Sequence, residues 1–456
     1  MIRSFATRLS ERRHWLIPSL VVFACALAAH LWQVFTFSNG VPYWDQWDSE
    51  GMRLLRPWID GSLGPMSLIQ AHNEHRILPT RLVTLLVFTL NGGVWNNLAE
   101  AFFNAFIYAL VPAYLAYHVA VGSSMRVARI TTLATIAALA MLPYGWENTL
   151  VGFQSQFYFV LLFTLPALAL LSFRPESLGA LAAVVTLVGL SSLTMASGLL
   201  TGVAASAVVM FNLINRRIHW DQAFLSWILI GGVVAIAYKT MPQVAGHDFL
   251  KATSVVEILR SAAIAASWPG ARPSLLTVVI WLPSAIVIAR MVLRKAPASC
   301  IDYFMAGCIG WNALQCLAIG YSRGHDMQHI ASRYSDLLMP GLVAAAWFAG
   351  RLWQWSAGRL RTLALTLGGL AILALAIGLA MRTPGDVQEM RNRHAQSLIQ
   401  AANVKAYLRD GDPGHLFQPP MQIPYPNAIL LRQYLDDPVL RPVLPFKEAR
   451  NPPPSR

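Results

Sequence analysis

Apolar runs of about 16–25 residues recur along the chain, separated by short polar punctuation. They lie near residues 16–36, 94–119, 128–144, 156–172, 177–195, 197–214, 222–240, 274–293, 302–320, 335–351 and 362–381. Each reaches the roughly 17 residues that a transmembrane helix needs. The pattern predicts an all-α polytopic membrane protein with about eleven transmembrane helices, since only helices satisfy the backbone within one spanning segment. A further apolar run at 77–91 is short and contains Arg81. It predicts a helix lying at or dipping into the interface. The basic first fifteen residues precede an apolar run with no small-residue cleavage signal, which predicts a retained first helix.

Charge sets the expected orientation. If Arg3, Arg8, Arg12 and Arg13 are cytoplasmic, alternate loops should be basic. Those loops carry Arg126 and Arg129; Arg174; Arg216 and Arg217; Arg290, Arg294 and Lys295; and Arg351, Arg359 and Arg361. The other face then receives 37–93, 145–155, a tight turn near Ala196, 241–273, 321–334 and the segment after Arg382. This predicts two regions, a membrane unit over 1–382 and a non-cytoplasmic Pro-rich segment over 383–456. That segment should begin with a helix over 387–408, pack on the outer surface to about Leu444 and end frayed.

Composition agrees with a membrane protein. Of 456 residues, 55% are hydrophobic and 12% charged, against about a quarter charged in soluble domains. The net charge of +13 does not point to nucleic acid, because the basic residues fall between the apolar runs. Cys25, Cys300, Cys308 and Cys316 lie in or beside apolar runs without CxxC spacing, which argues against zinc and against a disulfide framework.

The candidate chemistry sits in the outer loops. The first reads Tyr43-Trp44-Asp45-Gln46-Trp47-Asp48-Ser49-Glu50 and later His72-Asn73-Glu74-His75-Arg76. Ser49 is an expected N-cap with Glu50 in the first turn, and Met52, Leu54, Leu55, Trp58 and Ile59 form an apolar face for the membrane surface. Residues 61–65 break that helix. A second loop offers Tyr144, Trp146, Glu147, Asn148, Gln154 and Gln156, a hydrogen-bonding set suited to a sugar. A third holds Arg323, Arg333 and Tyr334. Its arginines suit a phosphate, or a structural salt bridge to Asp326 or Asp336. Asn96, Asn97, Glu100 and Asn104 share one helix face, as do His30 and Gln33. These stripes fit an aqueous pocket or polar helix–helix contacts.

Together these loops hold what the transfer of a sugar from a lipid phosphate requires. A carboxylate accepts the acceptor's proton, an arginine neutralises the phosphate, tryptophans stack on the sugar and amides bind its hydroxyls. Asp45 and Asp48 would also suit a divalent cation, Mg²⁺ or Mn²⁺, bridging a phosphate. A zinc site on His72 and His75, with both imidazoles on one helix face, is a weaker option because HExxH is absent.

At these residues the chain resembles the GT-C superfamily of integral-membrane glycosyltransferases, which use polyprenyl- or dolichyl-phosphate sugars. The shared layout is one span, a long outer loop with an early acidic motif, juxtamembrane helices, many further spans and an outer C-terminal segment. The stretches Trp-Asp-Gln-Trp-Asp, His-Asn-Glu-His-Arg, Gly-Phe-Gln-Ser-Gln and Ser-Arg-Tyr also look like those of a bacterial branch of this type. The resemblance implies a bacterial inner-membrane enzyme with a polyprenyl-phosphate-linked donor and a glycan, lipid or protein acceptor. It implies Asp45, ahead of Asp48, as catalytic base. The adjacent acidic pair common in the superfamily is absent, since Gln46 follows Asp45. A transporter or flippase of lipid-linked sugars is the alternative. It would place ionisable groups near the midplane, often in repeats, and no internal repeat is visible.

Overall fold

The computed structural model describes residues 2–122, 125–242, 245–295, 297–355 and 360–450, with side chains undescribed in 2–15 and at 245, 247, 355 and 450. The expected roles of Arg3, Arg8, Arg12, Arg13 and Arg359, and the frayed end, lie outside these limits.

The described chain is helical without β-strands. The first helices are α1 (Ile2–Phe37), α2 (Arg56–Ile59), α3 (Leu78–Leu90), α4 (Asn97–Gly122), α5 (Arg126–Met141) and α6 (Trp146–Leu150). The central set is α7 (Ser155–Phe173), α8 (Leu178–Ser192), α9 (Leu200–Ile214), α10 (Trp220–Lys239), α11 (Val255–Ala266) and α12 (Leu275–Val292). The last are α13 (Cys300–Ser322), α14 (Ser335–Trp355), α15 (Arg361–Asp410), α16 (Ala428–Asp436) and α17 (Lys447–Arg450).

Helices occupy all of the apolar runs expected to span. Among the described residues, 8 helices are long and apolar enough to cross a membrane. The runs of α8, α13 and α14 are not among them: α8 has 15 residues, and α13 and α14 carry buried polar groups such as Asp302, Asn312, Gln315, Asp336 and Arg351. The 13-residue α3 is about 20 Å long, short of a hydrocarbon core of about 30 Å. Its Arg81 is buried, and Nη1 donates to the carbonyls of Ser67, Leu68 and Gln70.

α13 lies at the centre, packed by α7, α9, α11 and α14, while α1 packs along α4. The α10 window is 17% buried against 67% for α7, so α10 is a peripheral helix offering its apolar surface outward. α11 was not foreseen. Its 12 residues lie in 241–273, expected as loop, and it packs against α13.

α1 ends, α4 begins and α15 continues outward at one end of the bundle, the capped end. α15 runs 50 residues through Pro384, about 75 Å, so the expected break near 382 is bridged by continuous helix. Residues 411–449 then fold back over the first long loop. Leu408, Leu416, Leu431, Leu435, Leu440 and Leu444 make a second core with Trp47, Leu54, Leu55 and Trp95. The apolar face that Leu54 and Leu55 were expected to offer the membrane is therefore covered by protein; Trp58 and Ile59 stay exposed. Residues 46–55 form a π-helical turn preceded by Asp45, with Ser49 buried inside it, so Ser49 is not an N-cap.

At the opposite end, Asp302 is fully buried. Its carboxylate takes Arg351 Nε and Nη2, both at 3.0 Å, and Trp347 Nε1 at 2.9 Å, and caps α13 through Ser299. Arg351, expected as a basic loop residue, is thus a buried tie between α13 and α14.

Candidate functional site

The three loops singled out by sequence meet at the capped end. Asp45 follows a turn in which Trp44 has φ of 48°, a left-handed conformation costly for a tryptophan. The turn is held by Trp44 N donating to Pro424 O at 2.8 Å and by Tyr43 N donating to Gln46 Oε1 at 2.9 Å. The Asp45 side chain is 46% exposed, and its Oδ1 lies 3.7 Å from Nε2 of His72, whose side chain is 5% exposed. An open carboxylate therefore sits in front of a buried imidazole. Burial pushes the Asp45 carboxyl up, but the His72 contact and the nearby Arg333 outweigh it and hold it below its ordinary value.

His72-Asn73-Glu74-His75 is a tight backbone turn with Asn73 at φ 50°, closed by reciprocal His72–His75 hydrogen bonds of 2.8 and 2.9 Å. It is not a helix, so the helical zinc arrangement of His72 and His75 falls. His75 Nδ1 accepts from Ala196 N at 3.2 Å, and burial pushes its pKa down to about 4, keeping it neutral. Glu74 faces Arg323 at 3.7 Å.

The second and third loops interlock through Glu147. Its Oε2 accepts from Ser332 Oγ at 2.9 Å and Arg333 N at 3.0 Å, and its Oε1 accepts from Arg333 Nη1 at 3.3 Å. Asn148 Nδ2 donates to Arg333 O at 2.8 Å and Asp336 Oδ2 at 2.7 Å. The arginines thus pair with Glu74 and Glu147, not with the expected Asp326 or Asp336. Arg333 also lies over the Tyr334 ring, 5.4 Å from its centroid. Tyr43 completes the group. Burial raises its phenol pKa, while Arg393, Glu147, Arg333 and Asp45 all act on it electrostatically. Arg393 Cζ stands 3.6 Å from the Tyr43 ring centroid. Tyr43 stands in the acidic motif but its pattern assigned it no role, and Arg393 was not foreseen at all. The available signal was Tyr43's place in that motif; Arg393 is hidden in an ordinary charged helix.

Other expected residues are engaged elsewhere. Asp48 accepts from Tyr425 at 2.7 Å and Tyr434 at 2.6 Å, so it anchors the C-terminal segment rather than joining Asp45. Trp47 is fully buried, edge-on to Trp95, and leaves no face for a sugar; Trp44 is 43% exposed. Arg76 donates to the carbonyls of Ile69 and Thr240. Gln156 bonds Gln154 and Thr80. The polar stripes are buried and make contacts within the protein. Asn97 binds the carbonyls of Asn39 and Leu150, Asn104 binds Gly152 O, His30 stacks on Tyr108 and Gln33 binds Met141 O. Gly152, of the Gly-Phe-Gln motif, lets this backbone close on α4, where a Cβ would stand 2.4 Å from that of Glu100.

Glu50 and Glu100 are buried and hydrogen-bond to one another. Glu50 also accepts from Gln46 at 2.8 Å, Thr84 at 3.2 Å and Trp95 at 3.3 Å. Burial raises the Glu50 pKa, so the folded chain holds this proton more tightly than the unfolded chain. Stability should be full below the ordinary Glu value of about 4.3 and fall as pH rises through the raised native value. Glu50→Gln should flatten that decline; equal slopes of thermal midpoint against pH for both proteins would refute it.

Among the described residues, one His–carboxylate group has ligand atoms close enough for a cation: Glu257, His325 and Asp326. His325 Nδ1 lies 3.3 Å from Glu257, while Nε2 lies 3.6 Å from Asp326. Asp45 and Asp48 are not part of it.

Two cavities adjoin residues of the Asp45 cluster, Glu74 in one and Glu147 in the other. One is an apolar groove of about 540 Å³ between α8 and α10, lined by Leu190, Leu193, Val233 and Ile236, with Glu74 and Arg76 at its rim. The other, of about 710 Å³, is larger and less apolar than the groove, and reaches Glu147 and Ser332 from the side of α15. Compared with known proteins, the chain matches no family model and no curated protein.

Proposed function

We propose that the protein is a membrane glycosyltransferase of GT-C type, moving a sugar from a polyprenyl-phosphate donor to an acceptor at the capped end. The observation that carries this reading is the placement of Asp45. Its half-exposed carboxylate is backed by His72 and lies within electrostatic reach of Arg333, and the turn that carries His72 also puts Glu74 in the wall of the apolar groove. In this scheme the prenyl chain lies in the groove. Arg323, paired with Glu74 of the groove wall, meets the phosphate. Asp45 takes the acceptor proton as the new glycosidic bond forms and the lipid phosphate leaves, and Arg333 offsets the developing negative charge. His72 orients the carboxylate.

The same reading places the capped end on the periplasmic side of a bacterial inner membrane, with about eleven crossings. The clusters at Arg126, Arg174, Arg216 and Arg294 belong to the other end, as the positive-inside rule asks of a cytoplasmic face.

The test is transfer by purified protein from a radiolabelled polyprenyl-phosphate sugar, together with donor binding. Gly189 lines the groove, and its nearest neighbour to an added Cβ is Val233 at 3.9 Å. Gly189→Trp should fill the groove and weaken donor binding by about tenfold or more. Unchanged donor binding in a folded variant would remove the groove from the scheme.

A further inference from the structure

The larger cavity mixes an apolar wall with several charged side chains, unlike the groove. It lies where the outer half of α15 passes the start of α12 and the loops at 269–272 and 329–332. Its volume of about 710 Å³ falls within the roughly 300–1,000 Å³ of small-molecule sites. Glu147, Asp386 and Glu389 supply carboxylates, Arg272 and Arg382 supply cations, and the Trp146 ring supplies an aromatic surface. Asp386 is buried and paired with Arg382 at 3.2 Å, so those charges offset one another. Glu147 is matched by Arg333. Arg272 and Glu389 are exposed. Such a balanced wall does not favour a phosphate, which would face three carboxylates. It favours a neutral molecule with many hydroxyls, which carboxylates and guanidinium groups bind by charge-assisted hydrogen bonds while an indole covers an apolar sugar face.

We propose that this cavity binds a neutral glycan, and that the glycan is the acceptor. The identification as acceptor rests on the glycosyl-transfer reading. The argument is Glu147, which lines this cavity and through Arg333 joins it to the Asp45 group. The two cavities share no lining residue, so a donor in the groove and an acceptor here do not compete for space.

Gly385 gives a clean way to block the cavity. It faces the space, and an added Cβ would meet nothing within 4 Å. Saturation-transfer NMR on the purified full chain, with a panel of neutral mono- to trisaccharides, should show binding of at least one. Gly385→Trp should abolish it and Glu389→Gln should weaken it by about tenfold. No signal from any saccharide, preferential binding of phosphorylated sugars, or binding indifferent to both cavity variants would each overturn the proposal. If Gly385→Trp does not fold, Glu389→Gln decides. Saccharide binding here without Asp45-dependent transfer would sink the transferase reading while leaving the glycan site standing.

Discussion

Asp45→Asn should lower sugar transfer by about a hundredfold or more while leaving donor binding and the thermal midpoint nearly unchanged. The substitution keeps the side chain's shape and removes the carboxylate that His72 and Arg333 hold in its ionised form. Little folding energy should be lost, because Asp45 is 46% exposed and makes no short hydrogen bond comparable to those of Asp48. Asp48→Asn should behave in the opposite way. It weakens two tyrosine hydrogen bonds to the C-terminal segment, costing about 1–3 kcal/mol, and touches transfer only through that loosening. Transfer assays and thermal unfolding on both variants separate the roles. A transporter of lipid-linked sugars abstracts no proton, so it predicts a mild effect at Asp45. Near-wild-type transfer in Asp45→Asn would end its role as base.

The largest stability effect is expected far from that site. Asp302→Ala should cost about 3–5 kcal/mol, seen as a lower unfolding midpoint in detergent. The variant removes the carboxylate that neutralises Arg351 inside the protein, an acceptor for the Trp347 indole and the cap of α13. Replacing the pair together, Asp302→Leu with Arg351→Met, should restore much of the loss, because neither charge is then left buried. A single variant as stable as the parent would show that the pair carries little of the packing between α13 and α14.

Several features were legible because they are local. Apolar run length and spacing located the long helices, and shortness with Arg81 marked α3 as a helix apart. The three loops named as the site do converge, since all three lie at the same end of the helix bundle. Asp45, His72, Glu147 and Arg333 are together. What failed was the assignment of function to every polar residue nearby. Trp47, Glu50, Glu100 and Gln156 are buried among protein partners, and nothing in their own neighbourhood distinguishes them from Asp45.

The sequence by itself determined that this is a helical membrane protein, where its long helices lie and which loops carry its ionisable groups. Those properties follow from hydrophobicity summed over windows of one span. Only the tertiary structure decided which carboxylate is open. Asp45 and Asp48 are three residues apart, yet Asp48 is closed by tyrosines 377 and 386 residues away. It alone also laid the C-terminal segment over the π-helical turn, set Arg393 against Tyr43 and brought Glu50 to Glu100. Such partners are chosen by burial and hydrogen-bond satisfaction among groups distant along the chain, which no local periodicity records.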